Sequence, residues 1–140
     1  MSTLRVTNLA DTSGGNSATT EQIKSGIAKA WVNFNGTGTV AIRASFNVSS
    51  ITDNGTGKYS VNFTTALADA NYAVNGVVAN TGNAWVTSGG EYTRGASGLQ
   101  QWGLTVPTTS SCRIETLIGA SSGVDGGNSD FSAVYVTIFR

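Results

Sequence analysis

The sequence contains no histidine, a single cysteine and few charged residues. Without histidine, a serine or cysteine nucleophile lacks its usual general base, and the commonest zinc ligand is missing. The lone Cys112 cannot form an intrachain disulfide, so stability must come from packing or from contacts between subunits. Because free cysteine is among the most buried residue types, we predict that Cys112 is a buried apolar side chain.

Charge is scarce and balanced. Eight basic and eight acidic residues make up 11% of the 140 residues, against about 25% in average globular proteins. They are scattered singly, which argues against nucleic acid and anionic membranes as partners. The surface must then be built from Ser, Thr, Asn and Gly, and a net charge of zero gives little repulsion between copies of the chain.

Apolar runs of targeting or membrane-spanning length are also missing. The start, MSTLRVTNLADTSGG, has no basic region followed by an apolar stretch, so we expect no secretory signal. No run approaches the length that spans a bilayer, so we expect no membrane insertion. The length predicts one folded domain. Since we expect no secretory signal, we expect the protein to be made in the cytoplasm and not exported by ordinary secretion.

Residues 1–29 have a pattern unlike that of the rest of the chain. A short alternating stretch around Leu4 and Val6 predicts an extended segment, followed by a polar linker. Thr19 to Gln22 fits a capping box, so we predict a short helix from Thr20 to about Lys29 with Ile23 and Ile27 stacked. Such a helix is too weak to stand alone and needs a partner surface. We therefore predict an attachment or oligomerisation segment whose contact residues are Leu4, Val6, Ile23 and Ile27.

Residues 30–140 alternate apolar and polar residues almost throughout, which is typical of β-strands. Asn-Gly-Thr-Gly occurs twice, at 35–38 and 54–57, and predicts tight hairpin turns with positive φ angles. About eight short strands separated by Gly, Ser and Asn predict an all-β fold, an antiparallel β-sandwich. In the second strand, the alternation places Val40, Ile42, Ala44 and Phe46 on one face.

The last run, FSAVYVTIF at 131–139, is apolar or β-branched nearly throughout. Such a run predicts a central strand that is either covered on both faces or buried between subunits.

Several motifs invite a chemical interpretation that their surroundings contradict. The segment 36–41 matches the glycine pattern of dinucleotide-binding folds, but alternation and not a helix follows it. The segment 125–130 offers oxygen ligands but lacks the spacing and closing Glu of a calcium loop. Glycan hydrolysis needs two paired carboxylates, and no spacing pairs any of the available ones, which are Glu91, Glu115, Asp125 and Asp130. We expect that the protein is not an enzyme and that it has no cofactor and no metal site.

The aromatic residues allow two interpretations. Trp31, Trp85, Tyr92 and Trp102 could form a surface on which sugars stack, because aromatic rings combine large contact area with a polar group. Alternatively they pack in the core or at a subunit interface, which we favour for Trp31. Trp85, Tyr92 and Trp102 lie in or beside Gly/Ser-rich segments, so we retain these three as candidate receptor-facing residues.

The block AWVNFNGTGTVAIRASFNVSSITDNGTGKYSVNFTTALADANYAV, residues 30–74, resembles a recurrent domain in tail-fibre and related virion proteins of tailed bacteriophages. Its most specific parts are 29–36, 45–50 and 59–64, and the leader from Leu4 to Ile27 resembles the segment that precedes this domain. The likeness covers about half of the chain.

The resemblance implies a β-rich domain, commonly trimeric, that is displayed on a phage particle and often used in host attachment. We therefore expect a non-enzymatic virion protein, assembled in the host cytoplasm, that is a homotrimeric tail-fibre or fibre-like component. Its partners would be itself, other virion proteins through residues 1–29, and a host receptor or glycan. The alternative is a capsid decoration or connector protein with a purely structural role.

Overall fold

The computed structural model describes residues 5–80, 83–85, 98–100, 107–118 and 127–140. Within them the chain forms twelve strands and one short helix. The N-terminal elements are β1 (Asn8–Ala10), β2 (Ser17–Thr19) and α1 (Thr20–Gly26). The remaining strands are β3 (Ala30–Asn35), β4 (Ala41–Phe46), β5 (Val48–Asp53), β6 (Lys58–Phe63), β7 (Ala73–Asn80), β8 (Asn83–Trp85), β9 (Gly98–Gln100), β10 (Ser111–Ile118), β11 (Gly127–Asn128) and β12 (Ala133–Phe139).

Two five-stranded sheets form the body of the protein. Sheet I has the order β4-β3-β12-β7-β8. Sheet II has the order β11-β10-β6-β5, with β9 also paired to β10. Every strand pairing is antiparallel, so the all-β, antiparallel sandwich predicted from the alternation is confirmed. The strands beyond the predicted ones are short, such as β2 and β11.

The core lies between the sheets and is built from the inward side chains of their strands. Val32 and Phe34 of β3 point inward with Val136 of β12, and Tyr59 and Val61 of β6 point back from sheet II. The rings of Phe34 and Tyr59 meet edge to face, with centroids 5.1 Å apart. The predicted burial of the cysteine is confirmed, since only 1% of Cys112 is exposed.

The chain passes from sheet I to sheet II through a single residue, Asn47, between β4 and β5. Its φ of 54° is the one positive value among the described residues other than glycine. Its side-chain amide donates to the carbonyl oxygens of Lys29 at 3.0 Å and Thr65 at 3.1 Å, and its Oδ1 accepts from the Thr65 N–H at 2.8 Å. Asn47 therefore fixes the corner of the sandwich.

The two Asn-Gly-Thr-Gly segments do connect successive antiparallel strands, but they are not the matched primed turns predicted from sequence. The connections are longer, at residues 36–40 and 54–57. Gly36 has no positive φ, whereas Gly38, Gly55 and Gly57 do. Gly36 is instead required by close approach, because a Cβ there would lie 2.6 Å from the Tyr59 hydroxyl.

Candidate interaction surface

The outward face of sheet I carries large apolar side chains that nothing in the described chain covers completely. We call the outward side chains of β4, β3, β12 and β7 the aromatic face. Register places Trp31 of β3 between Phe46 of β4 and Thr137 of β12, and Tyr135 between Asn33 and Val77. The exposed fractions are 39% for Trp31, 54% for Phe46 and 43% for Tyr135.

A β-bulge in β4 puts Phe46 on this face. The pairing shifts between Asn33–Ala44 and Phe34–Ile42, so Arg43 is the extra residue. Ile42 then packs against the core, while Ala44 and Phe46 face outward. The prediction that Ile42, Ala44 and Phe46 share one face was therefore wrong, because one inserted residue reverses the alternation beyond it.

Arg43 is held at the rim of the aromatic face by backbone oxygens. Its Nη2 donates to the carbonyl oxygen of Ser132 at 2.5 Å, and its Nη1 lies 3.4 Å from the carbonyl oxygen of Phe34. The remaining outward positions of the four strands are uncharged. They are Asn33, Asn35, Ala41, Ala44, Ala73, Asn75, Val77, Ala79, Ala133, Thr137 and a fourth aromatic residue, Phe139, together with Trp31, Phe46 and Tyr135.

The opposite outer surface, on sheet II, is polar. Asn62 of β6 donates through its side chain to Ser50 Oγ at 3.0 Å and Thr52 Oγ1 at 2.9 Å on β5. On the other side of β6, Lys58 lies opposite Glu115 in register. These groups satisfy one another and present hydrogen-bonding groups to water, so the two outer faces of the sandwich differ in character.

The N-terminal segment forms a small hairpin and a helix. The predicted linker is the loop of this hairpin, closed by Asp11, whose carboxylate accepts from the Ser13 hydroxyl, the Gly15 N–H and the Asn16 amide. Both contacts of the predicted capping box are present: Thr19 Oγ1 accepts from the Gln22 N–H, and Gln22 Oε1 accepts from the Thr19 N–H.

The helix ends at Gly26, earlier than predicted, and Ile27 is an extended C-cap residue, so Ile23 and Ile27 are not stacked within it. No residue of β1, β2 or α1 is buried. The exposed fractions are 40% for Val6, 37% for Ile23 and 56% for Ile27. The described part of the segment therefore offers apolar side chains and buries none; Leu4 lies outside the described residues.

One end of the sandwich is closed by a cluster that joins both Asn-Gly-Thr-Gly segments. The Tyr59 hydroxyl lies 2.7 Å from Asp130 Oδ1 and 3.0 Å from the carbonyl oxygen of Gly36. Asp130 Oδ1 also accepts from the Gly57 N–H at 2.7 Å. Burial, with the Asp130 carboxylate second, raises the pKa of Tyr59. These polar groups hydrogen-bond to one another, so we assign the cluster a structural role.

Alkaline solution is expected to destabilise the fold. Burial raises the pKa of Cys112 to about 12 and that of Tyr72 to about 12. The folded state therefore keeps protons that the unfolded chain releases, so this stability is complete below about pH 8.5 and is lost as the pH rises toward 12. Urea midpoints should fall steadily from pH 8 to pH 11.

Cys112→Ala is the control for this titration. It should lower stability at every pH and make the fall shallower, since it removes one of the titrating groups. Urea midpoints that stay constant between pH 8 and pH 11 would contradict the assignment.

Of the three candidate receptor-facing residues, only Trp85 lies within the described part of the chain. Trp85 has its backbone in β8, opposite Val78. Tyr92 and Trp102 lie outside the described residues. Trp31, which the sequence favours as a packing residue, is on the outer surface of sheet I and not in the core. Phe46 and Tyr135, which sequence reasoning did not single out, lie on the same face.

Of the four carboxylates considered for glycan hydrolysis, the structure describes two, and these have different surroundings. Asp130 is engaged with Tyr59 and Gly57, and Glu115 lies on the outer face of sheet II. Glu91 and Asp125 lie outside the described residues. In the part of the chain that the structure describes, no three His, Cys, Asp or Glu side chains are grouped so that they could hold a metal ion.

Among the described residues, no helix is long and apolar enough to cross a membrane. Comparison of the chain with protein families, with curated proteins and with solved structures found no match.

Proposed function

We propose that this chain is a non-enzymatic structural protein of a tailed-bacteriophage particle, a homotrimeric tail-fibre or fibre-like component that takes part in host attachment. The observation that carries the proposal is the N-terminal segment, whose hairpin and helix bury no side chain. A helix of seven residues is unstable in isolation, so this segment needs a partner surface. The resemblance of residues 30–74 to fibre domains supplies the kind of particle.

In this proposal the two parts of the chain have separate tasks. Residues 1–29 dock or bundle at the particle through Val6, Ile23 and Ile27, with Leu4 beside them. The sandwich at 30–140 projects, its segments 81–98 and 121–130 face the host surface, and Trp85, Tyr92 and Trp102 are the candidate receptor-facing residues. Repetition by symmetry would turn weak single contacts into tight attachment.

Deleting Met1 to Ala28 should abolish incorporation into particles and leave a folded sandwich. The cut is placed before Lys29, whose N–H donates to the Ile138 carbonyl oxygen at 2.7 Å and so belongs to the sandwich. The measurement is the amount of the protein in purified particles, together with a circular dichroism melt of the truncated chain.

A finer test keeps the segment and changes its apolar contacts. The double variant Ile23→Glu, Ile27→Glu should be depleted from particles, whereas Ser25→Glu, an exposed position on the same helix, should be retained. Particles that carry the truncated protein at the normal level would refute the assigned role of residues 1–29.

Binding to host cells separates the fibre role from a capsid decoration or connector role. Purified protein that adsorbs to host cells and competes with infection supports attachment. Protein that is incorporated into particles but neither binds cells nor blocks infection supports the decoration role instead.

A further inference from the structure

We infer that the aromatic face of sheet I is the surface through which copies of this chain associate. The inference rests on the self-association within the proposed function and not on the virion part. Its basis is the juxtaposition of Trp31, Phe46 and Tyr135 on an outer sheet face without a charged residue except Arg43 at the rim.

The size of the face fits an interface between proteins. Four adjacent strands about 4.8 Å apart, each about six residues long at ~3.3 Å per residue, give a projected area of roughly 400 Å². A stable complex buries ~800 Å² on each partner, so this face would supply about half of such an interface before the projecting rings are counted. Scattered single apolar residues need no explanation, but several large, partly exposed aromatic side chains on neighbouring strands of one face do.

The face combines large and small side chains. The rings of Trp31, Phe46 and Tyr135 share it with alanines of the same strands, such as Ala44 on β4 and Ala133 on β12. Large and small side chains side by side allow a ring of one copy to lie over an alanine of another. Aromatic residues in the centre of an interface also supply most of its binding energy.

Charge favours a second copy over a charged partner. The net charge of the chain is zero, so copies do not repel one another. The guanidinium of Arg43, the one charged group of the face, donates to the carbonyl oxygens of Ser132 and Phe34 and to Asn33 Oδ1, which hold it at the rim.

Strand β12 gives a further reason. It is central in sheet I, and its inward residues Val134, Val136 and Ile138 are almost fully buried. Its outward Tyr135 remains 43% exposed in the single chain. Of the two outcomes predicted for this apolar strand, coverage on both faces within one chain is not what the structure has. A neighbouring copy would complete the coverage.

The test is the assembly state of charge variants. Phe46→Glu and Tyr135→Glu each place a charge on the aromatic face. Both side chains are partly exposed, so we expect the two variants to fold. Each should raise the concentration for half-assembly by roughly 30-fold or more, as loss of an interface hot spot does. Thr52→Glu, exposed on the polar face of sheet II, is the matched control and should assemble as the parent chain does. Sedimentation equilibrium measures all four proteins.

Photo-crosslinking reports the same contact directly. Benzoylphenylalanine in place of Phe46 should give covalent oligomers of the chain on irradiation, and the same group in place of Thr52 should not. The highest band of the ladder counts the copies that meet at the face.

The variant lacking Met1 to Ala28 separates this inference from the proposed function. Association that survives the deletion but is lost in Tyr135→Glu supports the aromatic face. Association lost on deletion and kept by both face variants overturns the inference and leaves the attachment role of residues 1–29 standing. A parent chain that is monomeric at tens of micromolar concentration overturns the inference as well.

Discussion

Gly57→Ala is expected to destabilise the sandwich by about 3–4 kcal/mol, a large part of the total stability of a domain of this size. Gly57 lies in the second Asn-Gly-Thr-Gly segment with a φ of 65°. A Cβ there would lie 2.5 Å from the Thr116 carbonyl oxygen and 2.7 Å from the Ser129 nitrogen. Both are backbone atoms, joined by a hydrogen bond of 2.9 Å, so neither can move without breaking the connection between β10 and the 127–131 segment.

Gly38→Ala is the matched control, because Gly38 is the corresponding residue of the first segment. Its φ of 62° is nearly the same, but a Cβ there meets nothing within 4 Å. The control therefore measures the backbone cost alone, about 1 kcal/mol. Urea denaturation followed by circular dichroism gives both values. Equal losses of stability in Gly57→Ala and Gly38→Ala would mean that the positive φ, and not the close approach of backbone atoms, is the reason for glycine at position 57.

The second large effect is expected at the corner between the sheets. Asn47→Ala should cost about 3 kcal/mol, because it removes three hydrogen bonds and leaves a residue with a Cβ at positive φ. Asn47→Gly should cost about 2 kcal/mol, since glycine adopts this φ freely but cannot hold Lys29 and Thr65. The difference in unfolding free energy between the two variants gives the cost of a Cβ at positive φ, and the loss in Asn47→Gly gives the contribution of the hydrogen bonds.

Asn62→Ala provides the comparison for Asn47. Asn62 also makes two side-chain hydrogen bonds, to Ser50 and Thr52, but on the outer face of sheet II where water can replace them. We expect a loss below about 1 kcal/mol. Thermal or urea unfolding of the three variants ranks them. An Asn47→Ala loss no larger than that of Asn62→Ala would show that the corner is held by something other than this side chain.

Alternation in the sequence was sufficient for most strands because each buries one face against a single core. Tyr59, Val61 and Phe63 point inward as their spacing predicts, and Trp31 points away from Val32 and Phe34. The capping box at Thr19 and Gln22 could also be predicted from the sequence, since both contacts are local in the chain. The attachment residues and receptor-facing aromatics stay predictions, because their assignment depends on partners.

Alternation failed where one residue was inserted. Nothing local in the β4 sequence marks Arg43 as a bulge, since the pattern through Phe46 remains alternating. The bulge exists because of its pairing with β3, and Arg43 bonds to Ser132, 89 residues away in the chain. The aromatic face could therefore not be found from sequence, because Tyr135 comes from a strand distant along the chain from β3 and β4, and Phe46 was assigned to the wrong side.

The repeated Asn-Gly-Thr-Gly segments show the same division. Sequence alone determined that both connect antiparallel strands, because glycine and asparagine break alternation that continues on either side. The sequence alone did not show which glycine of each segment is closely packed. In the first segment Gly36 is buried against Tyr59 and Gly38 is open, whereas in the second Gly57 is the buried one. Local propensity and periodicity thus determined the strands and the fold class. Only the tertiary structure decided the bulge, the corner at Asn47 and the close-packed glycines, because each depends on atoms brought together from distant parts of the chain.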